Sequence, residues 1–158
     1  MFFSRLIKPL KPRRVDTFLY ELNTTSFSPQ SFVEEPLSVE KREDENRIHY
    51  IAYFDGHVAH RATLFLRVRL PAQFGYGHHP VIGDCVTDPA FRGRKLYPHM
   101  LNFIVQDAYA TMGTPIVQIL VAHDNLASIR GIERAGFTRI ARLRGIRLGP
   151  FVLNRKRA

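Results

Sequence analysis

The stretch Asp84-Cys-Val-Thr-Asp-Pro-Ala-Phe-Arg-Gly-Arg-Lys-Leu-Tyr-Pro-His-Met-Leu101 decides the fold of this chain. It predicts a strand that stops before Pro89, because proline lacks the N–H group that a sheet ladder needs. The turn at 92–95 contains Gly93, which adopts backbone angles that other residues resist. Apolar residues then recur at helical spacing as far as Met112 and predict a helix that ends at Gly113.

The start of that helix is suited to an anion. The first N–H groups of a helix have no partner within it, and they carry a partial positive charge. Three cationic side chains in the preceding turn add to this field, namely Arg92, Arg94 and Lys95. The turn therefore predicts a phosphate-binding site.

Residues 87–97 resemble motif A of the GNAT superfamily of acyl-CoA N-acyltransferases. In that motif, a Val-x-Pro-x-Tyr-Arg-Gly-x-Gly-Ile-Gly pattern wraps the pyrophosphate of coenzyme A, and Thr87-Asp-Pro-Ala-Phe-Arg-Gly-Arg-Lys-Leu-Tyr97 matches it in order. Lys95 and Tyr97 stand where the family usually has glycine. A cradle of N–H groups tolerates a side chain that points outward, but Tyr97 is expected to crowd the helix against the cofactor.

A second stretch, Asn125-Leu-Ala-Ser-Ile-Arg-Gly-Ile-Glu-Arg-Ala-Gly-Phe137, resembles motif B of the same superfamily, Asn-x-x-Ala/Ser-x-x-x-Tyr-x-x-x-Gly-Phe. The two motifs occur in the family's order, and the resemblance covers about residues 79–148. It implies an α/β (α+β) fold with a mixed, mostly antiparallel central sheet flanked by helices. We expect a basic N-terminal arm at residues 1–14 and one GNAT-like acetyltransferase domain at 15–158.

The resemblance also implies which residues hold acetyl-CoA, the cosubstrate. The backbone of residues 85–87 should hold the pantetheine arm, the turn should hold the pyrophosphate, and polar side chains of motif B should bond the arm. The expected cofactor-binding residues are Cys85, Val86, Thr87, Arg92, Gly93, Arg94, Lys95, Leu96, Tyr97, Asn125 and Ser128. Asn125 and Ser128 are also suited to capping a helix. Cys85 is better suited to a small buried position than to the role of a nucleophile.

Asp84 is the candidate catalytic residue. N-acyl transfer needs a neutral amine, so that a base must accept a proton, and Asp84 can serve as that base or bind the acceptor's ammonium group. A purely structural carboxylate that caps a loop is an equal alternative. Ile132 stands where the family often has a tyrosine that protonates the leaving thiolate. Tyr97, His99 or His123 are possible substitutes, as is departure of the unprotonated thiolate.

Composition limits which other classes of protein the chain can belong to. The chain has 158 residues, of which 45% are hydrophobic and 23% charged, and this is ordinary for one globular domain. No apolar run reaches the roughly 20 residues of a membrane helix. The single cysteine excludes an internal disulfide and a cysteine-based metal site, and it fits a cytoplasmic protein. The histidines lack the helical spacing of a metal motif, and we expect no metal; His78 or His79 can instead line the acceptor cleft.

The net charge of +9 is concentrated at the two ends of the chain. Residues 1–14 mix basic side chains with Phe2, Phe3, Leu6 and Ile7, so the arm suits either a membrane surface or packing on the body or on a second subunit of a homodimer. Nucleic acid is the other partner that a basic protein attracts. The sequence disfavours nucleic-acid binding, because the aromatic residues follow core spacing rather than forming exposed stacking platforms.

The remaining elements follow from local patterns. Alternation predicts a first strand at 15–22, and Ser28-Pro29-Gln30 predicts a short helix to about residue 35. The charge run at 40–47 predicts a solvated loop. Asp55-Gly56 predicts a hairpin between a strand at 48–54 and one at 58–70. Further strands are expected at 116–121, 137–148 and 151–153.

Taken together, the sequence predicts an N-acetyltransferase that moves an acetyl group from acetyl-CoA to a primary amine of a small molecule. An amino sugar or a polysaccharide precursor is a possible acceptor, by analogy alone. Acetylation of a protein N-terminus or lysine is a rival within the enzyme class. The alternatives outside it are a GNAT-like sensor that binds coenzyme A without turnover and a basic nucleic-acid-binding module.

Overall fold

In the computed structural model, which describes residues 11–33 and 37–158, the chain forms one mixed sheet with helices on both faces. The eight strands are Arg13–Asn23 (β1), Ser38–Asp44 (β2), Arg47–Phe54 (β3), His57–Phe65 (β4), Val81–Thr87 (β5), Ile116–Ala122 (β6), Thr138–Leu148 (β7) and Phe151–Arg157 (β8). The helices are Arg69–Gln73 (α1), Leu96–Met112 (α2) and Leu126–Arg134 (α3), with a 3₁₀ turn at Pro89–Phe91.

The strand order is β2-β3-β4-β5-β6-β1-β7-β8, and every neighbouring pair is antiparallel except β5 and β6. The predicted fold class is confirmed. The first strand lies in the middle of the sheet, so that β1 joins the half that carries β5 to the hairpin of β7 and β8. Arg13 and Arg14, which we placed in the arm, begin this strand, while residues 1–10 of the predicted arm lie outside the described residues.

The sheet separates two apolar layers. On one face, α2 and α3 cover the larger layer, in which Tyr20, Tyr50 and Leu64 of the sheet meet Met100 and Ile104 of α2. On the other face, a smaller layer surrounds α1 and the residue after it; its buried members are Leu19, Phe74, Ala141, Leu143 and Val152. The larger layer fixes the start of α2 against β5, and this contact positions the predicted phosphate turn.

Strands β5 and β6 separate halfway along their length. They pair only at Val81–Gln118 and Ile82–Ile119. Asp84 follows with a positive φ of 50°, and the register between β4 and β5 shifts at this point, as expected for a β-bulge. The bulge turns the second half of β5 away from β6 and leaves an opening between the two strands.

Several local predictions are confirmed. Asp55 and Gly56 both have positive φ, as the predicted hairpin turn requires. Gly113 ends α2 in a left-handed conformation, and its N–H donates to the Tyr109 carbonyl. Asn125 caps α3, its side chain accepting a hydrogen bond from the Ser128 N–H.

The predicted helix from residue 28 is wrong for the residues that the structure describes, 28–33, which form neither helix nor strand. Here the backbone N–H of Gln30 donates to the buried side chain of Asn102, and the N–H of Phe32 donates to His99. These bonds to α2 satisfy backbone N–H groups of the segment in an irregular conformation, so tertiary partners override its helical signal.

The predicted loop at 40–47 is also wrong, because its first part is strand β2 at the edge of the sheet. The charged side chains point to partners across the sheet and on α2. Lys41 Nζ lies 2.8 Å from Asp107 Oδ2, and Glu40 accepts a hydrogen bond from the hydroxyl of Tyr53 at 2.9 Å. A charged strand is suited to a sheet edge, where it discourages pairing with other chains.

The strand predicted at 58–70 ends at Phe65, five residues early. Leu66 leaves the sheet by donating its N–H to the Asn46 carbonyl, and residues 69–73 form α1. Pro71 falls in the first turn of this helix, where its missing N–H costs nothing. No helix in the described ranges is long and apolar enough to cross a bilayer.

Candidate functional site

A cleft of about 640 Å³ lies between β5, the turn that precedes α2, and the near side of α3. Most of the predicted cofactor-binding residues line it. They are Cys85, Val86, Thr87, Arg92, Gly93, Lys95, Leu96, Tyr97 and Ser128. The remaining lining residues were not predicted from the sequence: Phe91, Pro98, Ala127, Arg130, Gly131 and Arg134. The structure therefore brings the two sequence motifs together on one opening.

The turn before α2 presents backbone donors to this cleft. Gly93 has a φ of +80° and Lys95 a φ of 58°, so the chain passes through the left-handed region twice before the helix begins. Lys95 occupies the N-cap position, and its side chain makes no capping hydrogen bond. The N–H groups of Leu96 and Tyr97 consequently remain available to an anion, as in the concave N–H nests that bind phosphates.

The side chains of the cleft are cationic. Arg92 and Lys95 come from the turn, while Arg130 and Arg134 lie one helical turn apart on α3. Among the residues that the structure describes, the lining includes no Asp or Glu. Sequence reasoning missed the two α3 arginines, although their spacing of four residues within motif B was a usable signal, since it places them on one face of the helix.

Arg94, the third cation of the predicted turn, points the other way. Its guanidinium carbon lies 5.0 Å from the ring centroid of Phe54 and 5.6 Å from that of Phe91. It lines a second opening of about 560 Å³ on the far side of the turn, together with Phe32 and Val33. Gly93 and Lys95 line both openings.

Tyr97 packs between the two helices. An added Cβ atom at Gly131 would overlap Cδ1 of the Tyr97 ring, so the ring occupies the space that any other residue at 131 would fill. The same ring lies 5.9 Å, centroid to centroid, from His60, and the neighbouring Cys85 thiol adds to the rise in the pKa of its hydroxyl. Glycine at 131 thus accommodates the tyrosine that replaces the family's glycine at 97.

This packing predicts the effect of Gly131→Ala. In an exposed helix the change should stabilise by about 1 kcal/mol, because alanine is the better helix former. Here the new methyl group meets the Tyr97 ring, and we expect a loss of roughly 1–3 kcal/mol instead. Urea unfolding measures it. Gly131→Ala should cost less stability in the Tyr97→Leu background than in the wild type. Strict additivity of the two changes would contradict the contact.

Cys85 and His60 are both held neutral by burial. Burial raises the pKa of the Cys85 thiol to about 12, with the Asp84 charge adding to the rise and the Tyr97 hydrogen bond opposing it. The thiol is therefore a poor nucleophile. Burial likewise lowers the pKa of His60 to about 4. The Nδ1 atom of this neutral ring lies 2.8 Å from Thr87 Oγ1, so His60 fixes the hydroxyl that lines the cleft.

The other polar candidates lie outside the cleft. Asp84 is exposed at the β5 bulge, beside the opening between β5 and β6 but not among the residues that line the cleft. Asn125 is occupied as the cap of α3. His99 accepts the Phe32 N–H, and its pKa is lowered by burial. His123 lies 3.8 Å from Asp16 on β1.

Ile132 is fully buried in the larger apolar layer and offers the cleft no proton donor. Among the three predicted substitutes, Tyr97 is the residue that lines the cleft. Burial raises its pKa far above the usual value, with the contact to Cys85 adding to the shift, so the hydroxyl stays protonated. It is suited to donating a hydrogen bond to a sulfur atom rather than to releasing a proton.

Comparison with known proteins agrees with the geometry. A sequence profile described as the acetyltransferase (GNAT) family matches residues 17–137. No curated protein matches the chain in sequence.

Similar solved structures include an acetyltransferase from the GNAT family of Colwellia psychrerythraea, with a TM-score of 0.59 and 14% identity over 84% of this chain and 55% of that one. A GNAT-family protein of Novosphingobium aromaticivorans gives a TM-score of 0.57 and 17% identity, covering 84% of this chain and 66% of that one. The chain therefore spans between half and two thirds of the length of these structures. At such low identity, the likeness establishes the fold alone.

Proposed function

The chain belongs to the GNAT acetyltransferase family, and we propose that it transfers an acetyl group from acetyl-CoA to a primary amine of a small molecule. The observation that carries the proposal is the cleft at the start of α2, which combines backbone donors with four cationic side chains and, within residues 11–33 and 37–158, no acidic one. This chemistry suits the phosphate groups of coenzyme A. The acceptor is proposed to be a small amine, with an amino sugar or a polysaccharide precursor as one class to test.

The residues present fit acetyl-CoA in two respects. The turn from Gly93 to Lys95 offers N–H groups and cations to the pyrophosphate. Arg130 and Arg134 can bind the phosphate on the ribose. The second half of β5 offers the pantetheine arm an open strand edge. Residues 86 and 87 pair with β4 but have no ladder partner on the β6 side, so that the amides of the arm can pair there as an added strand would.

The reaction joins the acceptor nitrogen to the acetyl carbon and breaks the bond from that carbon to sulfur. The nitrogen must lose a proton, and the departing sulfur gains a negative charge. We assign the proton to Asp84, which is exposed where β5 leaves β6, acting directly or through water. We assign the hydrogen bond to the departing sulfur to the Tyr97 hydroxyl, which lines the cleft and stays protonated because burial raises its pKa.

A second candidate function is binding of coenzyme A without turnover. Two observations favour it: Ile132 is buried and offers no proton donor, and burial raises the pKa of Tyr97, so that its hydroxyl keeps its proton. One experiment separates the two: acetyl-CoA binding by calorimetry beside thiol release across a panel of primary amines. Binding with thiol release supports the transferase, binding without it supports the sensor, and no binding rejects both.

The α3 arginines supply a prediction of their own. Arg130→Gln with Arg134→Gln should weaken coenzyme A binding roughly tenfold or more at low salt, because two charge-assisted contacts to phosphate are lost. The affinity for the analogue that lacks the ribose phosphate should change much less. The control, Arg67→Gln with Arg69→Gln, removes the same charge from exposed positions outside the cleft. Equal losses for both ligands would place these arginines on the pyrophosphate instead.

A further inference from the structure

The hairpin of β7 and β8 exposes an apolar surface next to its turn at Gly149–Pro150. Ile146 pairs with Leu153 and Leu148 with Phe151, so these four side chains lie on one face of the hairpin. We call them the hairpin tip. Phe151 is 66% and Leu153 52% exposed, while Val152 between them is buried on the opposite face. Large apolar side chains grouped in this way mark a surface that meets another apolar phase.

Cations surround the hairpin tip. On the face of the tip, Arg14 of the neighbouring strand pairs with Ile146, and Arg144 pairs with Lys156 farther from the turn. Arg13 and Arg147 pair on the opposite face. The sequence from residue 137 to 158 contains no Asp or Glu. Asp16 of β1, near this surface, is neutralised by two hydrogen bonds from Arg142, at 2.7 and 3.0 Å. The surface as a whole is therefore strongly positive.

The hairpin tip is held in place from behind. Gln73, the last residue of α1, accepts a hydrogen bond from the Val152 N–H at 2.8 Å and donates one to the Pro150 carbonyl at 2.9 Å. Arg155 donates to the backbone carbonyl of the same glutamine at 2.8 Å. These bonds fix the turn against the body of the protein, so the apolar side chains are presented without an ordering cost at binding.

We propose that the hairpin tip docks on an anionic phospholipid bilayer. A strand rises about 3.3 Å per residue, so the apolar pairs extend roughly 10 Å from the turn, and the Arg144–Lys156 pair follows them. When the bilayer lies against this face, the apolar side chains enter the headgroup boundary, where interfacial apolar groups reach about 5–10 Å, and Arg147 stays outside it on the opposite face. The cations then lie at the level of the headgroups, where anionic lipids attract them.

Other occupants fit the surface less well. A second copy of this chain would place two positive surfaces against each other, because residues 137–158 contain no acidic side chain to pair with the arginines. Nucleic acid would satisfy the charge. It would offer bases one ring to stack on, Phe151, and would leave the aliphatic side chains Ile146 and Leu153 in water. The bilayer alone uses both the charge and the apolar side chains.

Flotation with vesicles tests the proposal on the full chain. The protein should float with vesicles of phosphatidylcholine and phosphatidylserine at low salt and stay behind with phosphatidylcholine alone. Phe151→Ser with Leu153→Ser should lower the partition coefficient roughly tenfold or more. Arg144→Gln with Lys156→Gln should lower it by a similar factor and flatten its salt dependence. This second pair changes only exposed residues, so it keeps the test decisive if the serine pair does not fold.

Matched variants complete the design. Tyr109→Ser removes an exposed aromatic ring on α2, and Arg67→Gln with Arg69→Gln removes two exposed charges elsewhere; both should leave flotation unchanged. The variant Phe2→Ser with Phe3→Ser measures how much of the vesicle binding depends on the N-terminal residues. The proposal fails if the full chain ignores anionic vesicles, or if both hairpin pairs float like the wild type. It also fails if the serine pair abolishes self-association or nucleic-acid binding instead.

Discussion

Gly93→Val is expected to weaken coenzyme A binding by roughly tenfold or more while the protein stays folded. Gly93 has a φ of +80° and lies in the turn that leads to α2, where it lines the cleft. A β-branched residue resists that conformation, so the turn must either store the strain or change its backbone angles. A changed backbone turns the N–H groups of Leu96 and Tyr97 away from the phosphate position. Calorimetric titration with coenzyme A measures the loss.

The chain offers a matched control for this variant. Gly113 also has a positive φ, of 62°, and an added Cβ would meet nothing within 4 Å at either glycine. Gly113 ends α2 at the far end of the helix from the cleft. Gly113→Val should therefore cost a similar amount of stability and leave the affinity for coenzyme A unchanged. Wild-type affinity in folded Gly93→Val would contradict the phosphate turn, whereas equal losses in both variants would indicate a global effect.

Sequence reasoning succeeded where one local rule fixes the structure. The Asp55-Gly56 turn follows from the need for positive φ at both central residues. Helix α2 follows from its apolar spacing, and its end follows from Gly113. The same local rules placed Gly93 in a turn before the helix, and most of the cleft follows from that placement. The position of the cleft along the chain was therefore predictable, while its role as a binding site stays a prediction.

The failures share a different cause, namely partners that are distant in the sequence. Residues 28–33 lose their helical signal because α2 supplies hydrogen bonds to the backbone of Gln30 and Phe32. Strand β2 is charged, and only its neighbours on β3 and α2 explain why it pairs. The contact of Tyr97 with Gly131 joins residues of two motifs, so neither motif alone predicts it. Each of these contacts exists only after the chain has folded.

Asp84→Asn carries the largest effect expected on turnover. If Asp84 accepts the proton of the amine, kcat should fall by roughly 10²- to 10⁴-fold. The affinity for coenzyme A should stay unchanged, because Asp84 does not line the cleft. Steady-state kinetics over a range of pH, beside calorimetry with coenzyme A, measure both quantities.

The substitution separates the charge of Asp84 from its backbone. Asp84 adopts a φ of 50° at the bulge, and asparagine tolerates that conformation as well as aspartate does. Asp84→Asn should thus keep the bulge and the fold while removing the carboxylate. Asp55 has nearly the same φ, 48°, and is exposed in the turn between β3 and β4. Asp55→Asn is therefore the matched control, and its kinetics should equal those of the wild type.

The kinetic parameter that changes identifies the role. A base acts in the transition state, so its loss lowers kcat and kcat/KM together. A carboxylate that binds the acceptor as an ammonium ion acts in the ground state too, and its loss mainly raises the KM for the amine. If Asp84→Asn shows wild-type kinetics at every pH, the carboxylate serves only the bulge. The proton must then leave through a water chain or through the loop before β5, where His78→Gln and His79→Gln become the next variants to measure.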